Sequence, residues 1–231
     1  MRDWIEQLLS NPYLAGMGHD QRTEDANLGL GWLYYALARI VRPRRIVVIG
    51  SFRGFSPILF GRTLLDNCVA GEQEAGRVLF IDLSLMDDFW DDPVSVQAHF
   101  ESYGITNVDH RKLTTQQYIE TDEYRQLGEV GLVFIDGFHT AEQAAFDYAA
   151  FEREAFVRRR PGALLHDSAR ETTSKIYGPD KTYQRTVVKF VSELKERTDL
   201  QVFDLYQGAG LTLVRQRTPS NGSGRLDIQN E

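Results

Sequence analysis

RIVVIGSFRGFSPILF, residues 45–60, decides the fold. Ile46 to Ile49 are all apolar and stand between Arg45 and Gly50. A short β-branched run closed by glycine reads as a strand covered on both faces. Past the turn, Phe60, Leu64 and Cys68 recur on one helical face. The same alternation repeats downstream. RVLFIDL (77–83) reads as a second strand, and residues 93–103 as a helix carrying Val94, Ala98, Phe100 and Tyr103. ITNVDHRKL (105–113) holds a weaker third strand, and EVGLVFIDG (129–137) a strong fourth. Ala141, Ala144, Ala145, Tyr148, Phe151 and Ala155 form a helical stripe. GALLHDS (162–168) is a fifth strand and residues 186–197 a further helix. LQVFDLY (200–206) and GLTLVRQR (210–217) close the chain as an antiparallel hairpin around Gly208 and Gly210. Strand–helix alternation implies parallel strands with helices on both faces. The expected class is therefore α/β: a doubly wound, mostly parallel seven-stranded sheet with an antiparallel terminal strand.

Upstream, residues 3–10 predict a short helix, followed by the loop GMGHDQRTEDANLGLG (16–31). Leu33, Leu37 and Val41, with Ala36 and Ile40, mark the apolar face of a second helix that Pro43 ends. Residues 1–42 read as a helical extension and 43–217 as one α/β domain. Residues 218–231, rich in Ser, Gly, Asn and charge, read as a disordered tail. No internal repeat is visible.

The chain has 231 residues, 42% of them hydrophobic, enough for a sizeable core. Its 26 basic and 33 acidic side chains give a net charge of −7, which argues against a nucleic-acid partner. Cys68 is the only cysteine, which excludes an intramolecular disulfide and a multi-thiolate zinc or iron–sulfur site. With no apolar N-terminal run and no membrane-length apolar stretch, a cytoplasmic protein without a membrane partner is expected. A homodimer stays open, since nothing in the sequence sets the oligomeric state.

In a doubly wound sheet, ligands collect beyond the carboxyl ends of the strands, where strand order reverses. The residues there are 50–54, Asp82, 113–115, 136–139 and 166–168, and three of the five strand ends carry an aspartate. Gly50 and Gly54 are four apart, which matches neither the dinucleotide pattern G-x-G-x-x-G nor a P-loop. Asp82 can take the two hydroxyls of a ribose, or cap a helix. His139 can accept a proton from a substrate, or cap and pack. Asp136, His166 and Asp167 can bind a divalent cation. Oxygen ligands suit Mg²⁺ or Mn²⁺, and an added histidine suits Mn²⁺, Fe²⁺ or Zn²⁺. Neighbouring strand residues face opposite ways, so His166 and Asp167 converge only where the strand has ended. His19, His99 and His110 read as structural or solvated, and Tyr34, Tyr35, Trp32 and Phe138 as core. Arg158, Arg159 and Arg160 read as a solvated helix end. Residues 171–185, long, polar and dotted with aromatics, read as a lid.

The segments RIVVIGSFRGFS, VLFIDL, LVFIDGFHTAEQAAFDYAAF, GALLHDS and GLTLVR, in that order, resemble the class I S-adenosylmethionine-dependent methyltransferases. They look most like the group containing macrocin-type O-methyltransferases and cephalosporin-hydroxylase-type proteins. The resemblance implies the Rossmann-like methyltransferase fold, with residues 43–217 as the methyltransferase-like domain. It implies that Gly50, Ser51 and Gly54, with Phe52 and Ser56 of the same turn, line the methionine part of S-adenosylmethionine. Asp82 would hold the ribose, Thr114 and Thr115 the adenine, and Asp136 would face the transferable methyl group. Val48, Thr114 and Phe138 stand where members of the group often carry acids. The expected activity is methyl transfer to a hydroxyl or amine of a small-molecule acceptor, with His139 or Asp136 as base. A catalytically silent relative that binds a nucleoside or a partner is the alternative that Val48 and Phe138 favour. A nucleotide-linked oxidoreductase or hydroxylase is a third, disfavoured by the missing dinucleotide pattern.

Overall fold

The computed structural model describes residues 1–68, 75–83, 87–156, 162–175 and 180–217. The arginine run 158–160 and the tail 218–231 lie outside the described residues. One seven-stranded sheet dominates. Its central strand β1 (Arg45–Ile49) pairs in parallel with β2 (Arg77–Ile81) on one side and β4 (Leu132–Ile135) on the other. β3 (Val108–Arg111) flanks β2, and β5 (Ala163–His166) flanks β4. The closing hairpin of β8 (Leu200–Leu205) and β9 (Leu211–Gln216) completes the order β3-β2-β1-β4-β5-β9-β8. β9 runs antiparallel to both of its neighbours, as predicted.

Side-chain alternation divides the core in two. Ile46, Val48, Phe80 and Phe134 face one layer, built with α1 (Arg2–Leu9), α2 (Gly31–Val41), α3 (Phe55–Asn67) and α4 (Pro93–Glu101). Val47, Ile49, Val133 and Leu165 face the other, built with α7 (Ala141–Phe156) and α8 (Val187–Glu196). Residues 1–42 thus share a core with the sheet: Trp4, Leu8 and Leu28 pack in the same cluster as Ile46 and Phe134. Val48 is wholly buried in that layer, where a carboxylate would need a polar partner.

Some local predictions shift. The buried face of α2 is Gly31, Tyr34 and Ala38, with Leu33 and Leu37 at its margins, while Ile40 is 77% exposed. The Tyr34 ring decides the rotation by meeting Phe134 edge-on at 4.9 Å and Phe60 at 6.0 Å. Cys68 caps α3 and is exposed rather than part of its buried face. Two one-turn helices, α5 (Thr115–Tyr118) and α6 (Asp122–Arg125), follow β3. The predicted lid contains a small antiparallel pair, β6 (Thr172–Ser174) with β7 (Tyr183–Arg185), and its residues 176–179 lie outside the described residues.

β1 and β4 come very close at their carboxyl ends. Gly50 sits at φ +72°, and a Cβ there would lie 2.4 Å from the Asp136 carbonyl oxygen. Gly50 N–H still donates to the Ile81 carbonyl at 2.9 Å, so the ladder runs to the rim. Gly50→Ala is therefore expected to destabilise the protein by about 1–3 kcal/mol through left-handed strain and strand displacement. Urea unfolding checks this, and an unchanged midpoint would contradict it.

Candidate functional site

A cavity of about 610 Å³ opens above the carboxyl ends of β1 to β5. That volume lies within the range of small-ligand sites. Its floor is the turn after β1. Ser51 N–H donates to Asp82 Oδ2 at 3.0 Å, which ties the ends of β1 and β2 together. The Ser51 and Ser56 hydroxyls meet at 2.7 Å, and Ser56 N–H donates to Ser51 Oγ at 3.2 Å. The turn then enters α3 through Gly54 at φ +86°.

Among the predicted cofactor residues, Gly50, Ser51, Phe52, Asp82, Thr114, Thr115 and Asp136 line this cavity. Gly54 and Ser56 stand behind its wall. A Cβ on Gly54 would press on Trp90 at 3.1 Å, so its smallness serves packing, and Ser56 faces the Ser51 hydroxyl. Thr114 caps α5 by accepting from Gln117 N–H at 3.1 Å. Thr115 is buried beside Asp147, a residue that sequence reasoning missed. Asp147 shares a helical face with Ala144, Tyr148 and Phe151, and that spacing is the signal for it. Gln143 Nε2 donates to its carboxylate at 2.8 Å.

At the other end of the cavity, four predicted residues converge. β5 ends at His166, and Asp167 turns into left-handed backbone at φ 53°, so both side chains reach the same space. His166 Nδ1 lies 2.8 Å from Asp136 Oδ1 and 3.4 Å from Asp167 Oδ1. His139, itself at φ 60°, places Nδ1 3.6 Å from Asp167 Oδ2 and Nε2 3.9 Å from Asp136 Oδ1. Arg185 of β7, also unforeseen, donates from Nη1 to Asp167 Oδ2. Burial holds the His139 imidazole below its usual pKa, against the pull of Asp136 and Asp167. Burial alone would lower His166 too, but the Asp136 and Asp167 carboxylates outweigh it and raise its pKa. Asp136 is pushed up by burial and pulled further down by His166 and His139, ending below the usual carboxylate range.

Two residues read as structural belong to the site. His19 lines the cavity and stacks on His166, with ring centroids 4.9 Å apart and planes 13° from parallel. Phe138 is 38% exposed, lines the cavity and stacks on Tyr183 at 5.2 Å. His99 and His110 are structural as expected, their Nε2 atoms lying 2.9 Å from the Arg53 carbonyl and 3.1 Å from the Asp82 carbonyl.

The sequence pattern of a family described as a methyltransferase domain matches residues 47–168, just over half of the chain. The chain belongs to this methyltransferase family. A methyltransferase family is what the motifs suggest. Solved methyltransferases share the fold. The O-methyltransferase TomG of Streptomyces achromogenes, seen with S-adenosylmethionine, is 20% identical, with 92% of this chain and 90% of TomG covered and a TM-score of 0.57. PaMTH1 of Podospora anserina, seen with S-adenosylhomocysteine, is 17% identical over 94% of this chain and 87% of its own, with a TM-score of 0.56. An O-methyltransferase of Bacillus cereus, also seen with S-adenosylhomocysteine, is 18% identical over 93% and 91%, with a TM-score of 0.55. No curated protein sequence matches the chain. No helix among the described residues is long and apolar enough to cross a membrane.

Burial pushes the Asp147 carboxyl from its ordinary 3.8 up to about 6. A carboxyl raised on folding disfavours the folded state once it ionises, so its stability cost grows as pH rises from about 4 to 6. Asp147→Asn is expected to unfold at higher denaturant than the parent at pH 8, by up to about 3 kcal/mol, with the gap closing near pH 4. Denaturant titrations at several pH values check this, and parallel curves would refute it.

Proposed function

We propose that this methyltransferase transfers the methyl group of S-adenosylmethionine to a hydroxyl, or an amine, of a small-molecule acceptor. One observation carries the proposal. A single cavity joins the Ser51–Asp82 rim to the Asp136–His139–His166–Asp167 cluster, so a ribose-holding end and an acid–base end share one space. The rim fits the donor chemically. Asp82 lines the cavity as a carboxylate suited to ribose hydroxyls, and Gly50 keeps the β1 end free of side chain. Thr115, with Asp147 beneath it, lies where the adenine would rest. When bound, S-adenosylmethionine supplies an electrophilic methyl group on a sulfonium.

The chain's part is to place an acceptor oxygen in line with that methyl group and to take its proton. His139 is the base: burial favours its neutral, proton-accepting form, and Asp167 beside Nδ1 stabilises the ring once charged. Asp136 faces the reacting end, and Phe138 and Tyr183 give the acceptor an aromatic wall. The donor set also fits a divalent cation, because carboxylate oxygens of Asp136 and Asp167 both approach His166 Nδ1. Asp136, His166 and Asp167 would hold that ion, which would serve as a Lewis acid for the acceptor oxygen. We assign the reaction to residues 43–217, with residues 1–42 completing the cover of the sheet. A cytoplasmic setting accords with the lone, exposed Cys68.

Calorimetry with S-adenosylhomocysteine tests the donor end. Asp82→Ala is expected to weaken its binding by about 1–3 kcal/mol, and undiminished affinity would remove Asp82 from the ribose. At the other end, His139→Ala is expected to cut turnover by roughly 10²–10⁴-fold while S-adenosylhomocysteine still binds. Full activity in that variant would assign the proton to another group.

A further inference from the structure

His19 enters the cavity from the loop between α1 and α2, far in sequence from the strand ends it meets. The loop is forced into place. Gly29 adopts φ +58°, and a Cβ there would lie 1.6 Å from the His19 carbonyl oxygen. His19 itself is left-handed at φ 45°, and its ring packs against Gly208. Gln207 Nε2 donates to Asp20 Oδ2 at 2.8 Å and fastens the loop to the closing hairpin. The chain thus holds an imidazole over His166 through backbone strain and close packing.

The polar atoms brought together there are incompletely satisfied. His19 Nε2 and His166 Nε2 are buried without a hydrogen-bond partner among the described residues. An orphaned buried nitrogen is costly unless a ligand meets it. Asp167 divides its two oxygens. Oδ2 faces Arg185 and His139, whereas Oδ1 lies 3.4 Å from His166 Nδ1 and 3.9 Å from His19 Nε2. Each of His19, His166 and Asp167 offers one donor atom, all within 4.8 Å of one another. Atoms bound to one ion at about 2.0–2.2 Å stand roughly 3–3.5 Å apart, so the set closes by contraction together with a turn of the two stacked rings, which brings both in-plane lone pairs onto the ion. Arg185 then orients the carboxylate from outside, as outer partners of metal ligands do.

We infer that His19, rather than Asp136, completes the ligand set with His166 and Asp167, Asp136 instead bracing His166 at Nδ1, and that this makes a centre for imidazole-preferring divalent ions such as Zn²⁺ or Co²⁺ rather than for Mg²⁺. Two imidazoles and a carboxylate favour borderline transition ions, whereas Mg²⁺ prefers oxygen donors and retained water. The ion's task beside an acceptor rests on the transferase reading, while its ligation stands on the geometry above.

The test titrates chelator-treated, full-length protein with Co²⁺, following visible absorption, with Mg²⁺ as competitor. The wild type is expected to bind one Co²⁺ that excess Mg²⁺ does not displace. His19→Ala is expected to weaken Co²⁺ by at least about tenfold. Equal Co²⁺ affinity in the variant, or displacement by Mg²⁺ in the wild type, overturns the inference. Pulsed electron paramagnetic resonance of the Cu²⁺-loaded wild type counts coupled imidazoles without any substitution. Two support the inference, and one or none overturns it. S-adenosylhomocysteine binding is measured in parallel. If it binds while Co²⁺ does not, the metal centre falls alone. If it fails to bind while Co²⁺ is held by two imidazoles, the transferase reading falls and the centre stands.

Discussion

The close approach of β1 and β4 at Gly50 and Asp136 is the constraint on which the rest depends. These neighbours in the sheet send their following helices to opposite faces, α3 to one and α7 to the other. A crevice therefore opens above their carboxyl ends. Only a residue without a side chain lets the two backbones meet there. The next amide, from Ser51, then points at Asp82, and Asp136 stands opposite. Both ends of the cavity are positioned from this one contact.

Electrostatics set the character of the cluster around Asp136 and Asp167. Two carboxylates, three imidazoles and one guanidinium crowd one end of the cavity. Isolated buried carboxylates would be costly, and each gains a cationic or hydrogen-bonding neighbour instead. The imidazoles are not equivalent. His166 lies between Asp136 and Asp167 and is biased toward the charged form, while burial biases His139 and His19 toward the neutral one. One cluster thereby holds imidazoles of unequal proton affinity.

The sheet was legible because burial on both faces leaves uninterrupted apolar runs, and Ile46–Ile49 and Leu132–Ile135 announce themselves that way. The strand-end acids were legible for the converse reason, since a carboxylate closes such a run only where the strand leaves the core. The face of α2 was not. Leu33, Leu37 and Val41 satisfy helical spacing as well as Tyr34 and Ala38 do, and only the meeting of Tyr34 with Phe134 selects the rotation. His19 was illegible because its place is set by glycine backbones and by a hairpin at the other end of the chain. Phe138 follows IDG and looks like core, but a left-handed turn at His139 leaves it on the cavity wall.

The family match stops at Ser168, yet the cavity wall does not. Tyr183 and Arg185 close it from a later hairpin, and His19 closes it from an earlier loop. Segments outside the matched block therefore supply part of the cavity wall. A transplant of residues 47–168 alone would carry over the strand-end scaffold and leave His19, Tyr183 and Arg185 behind.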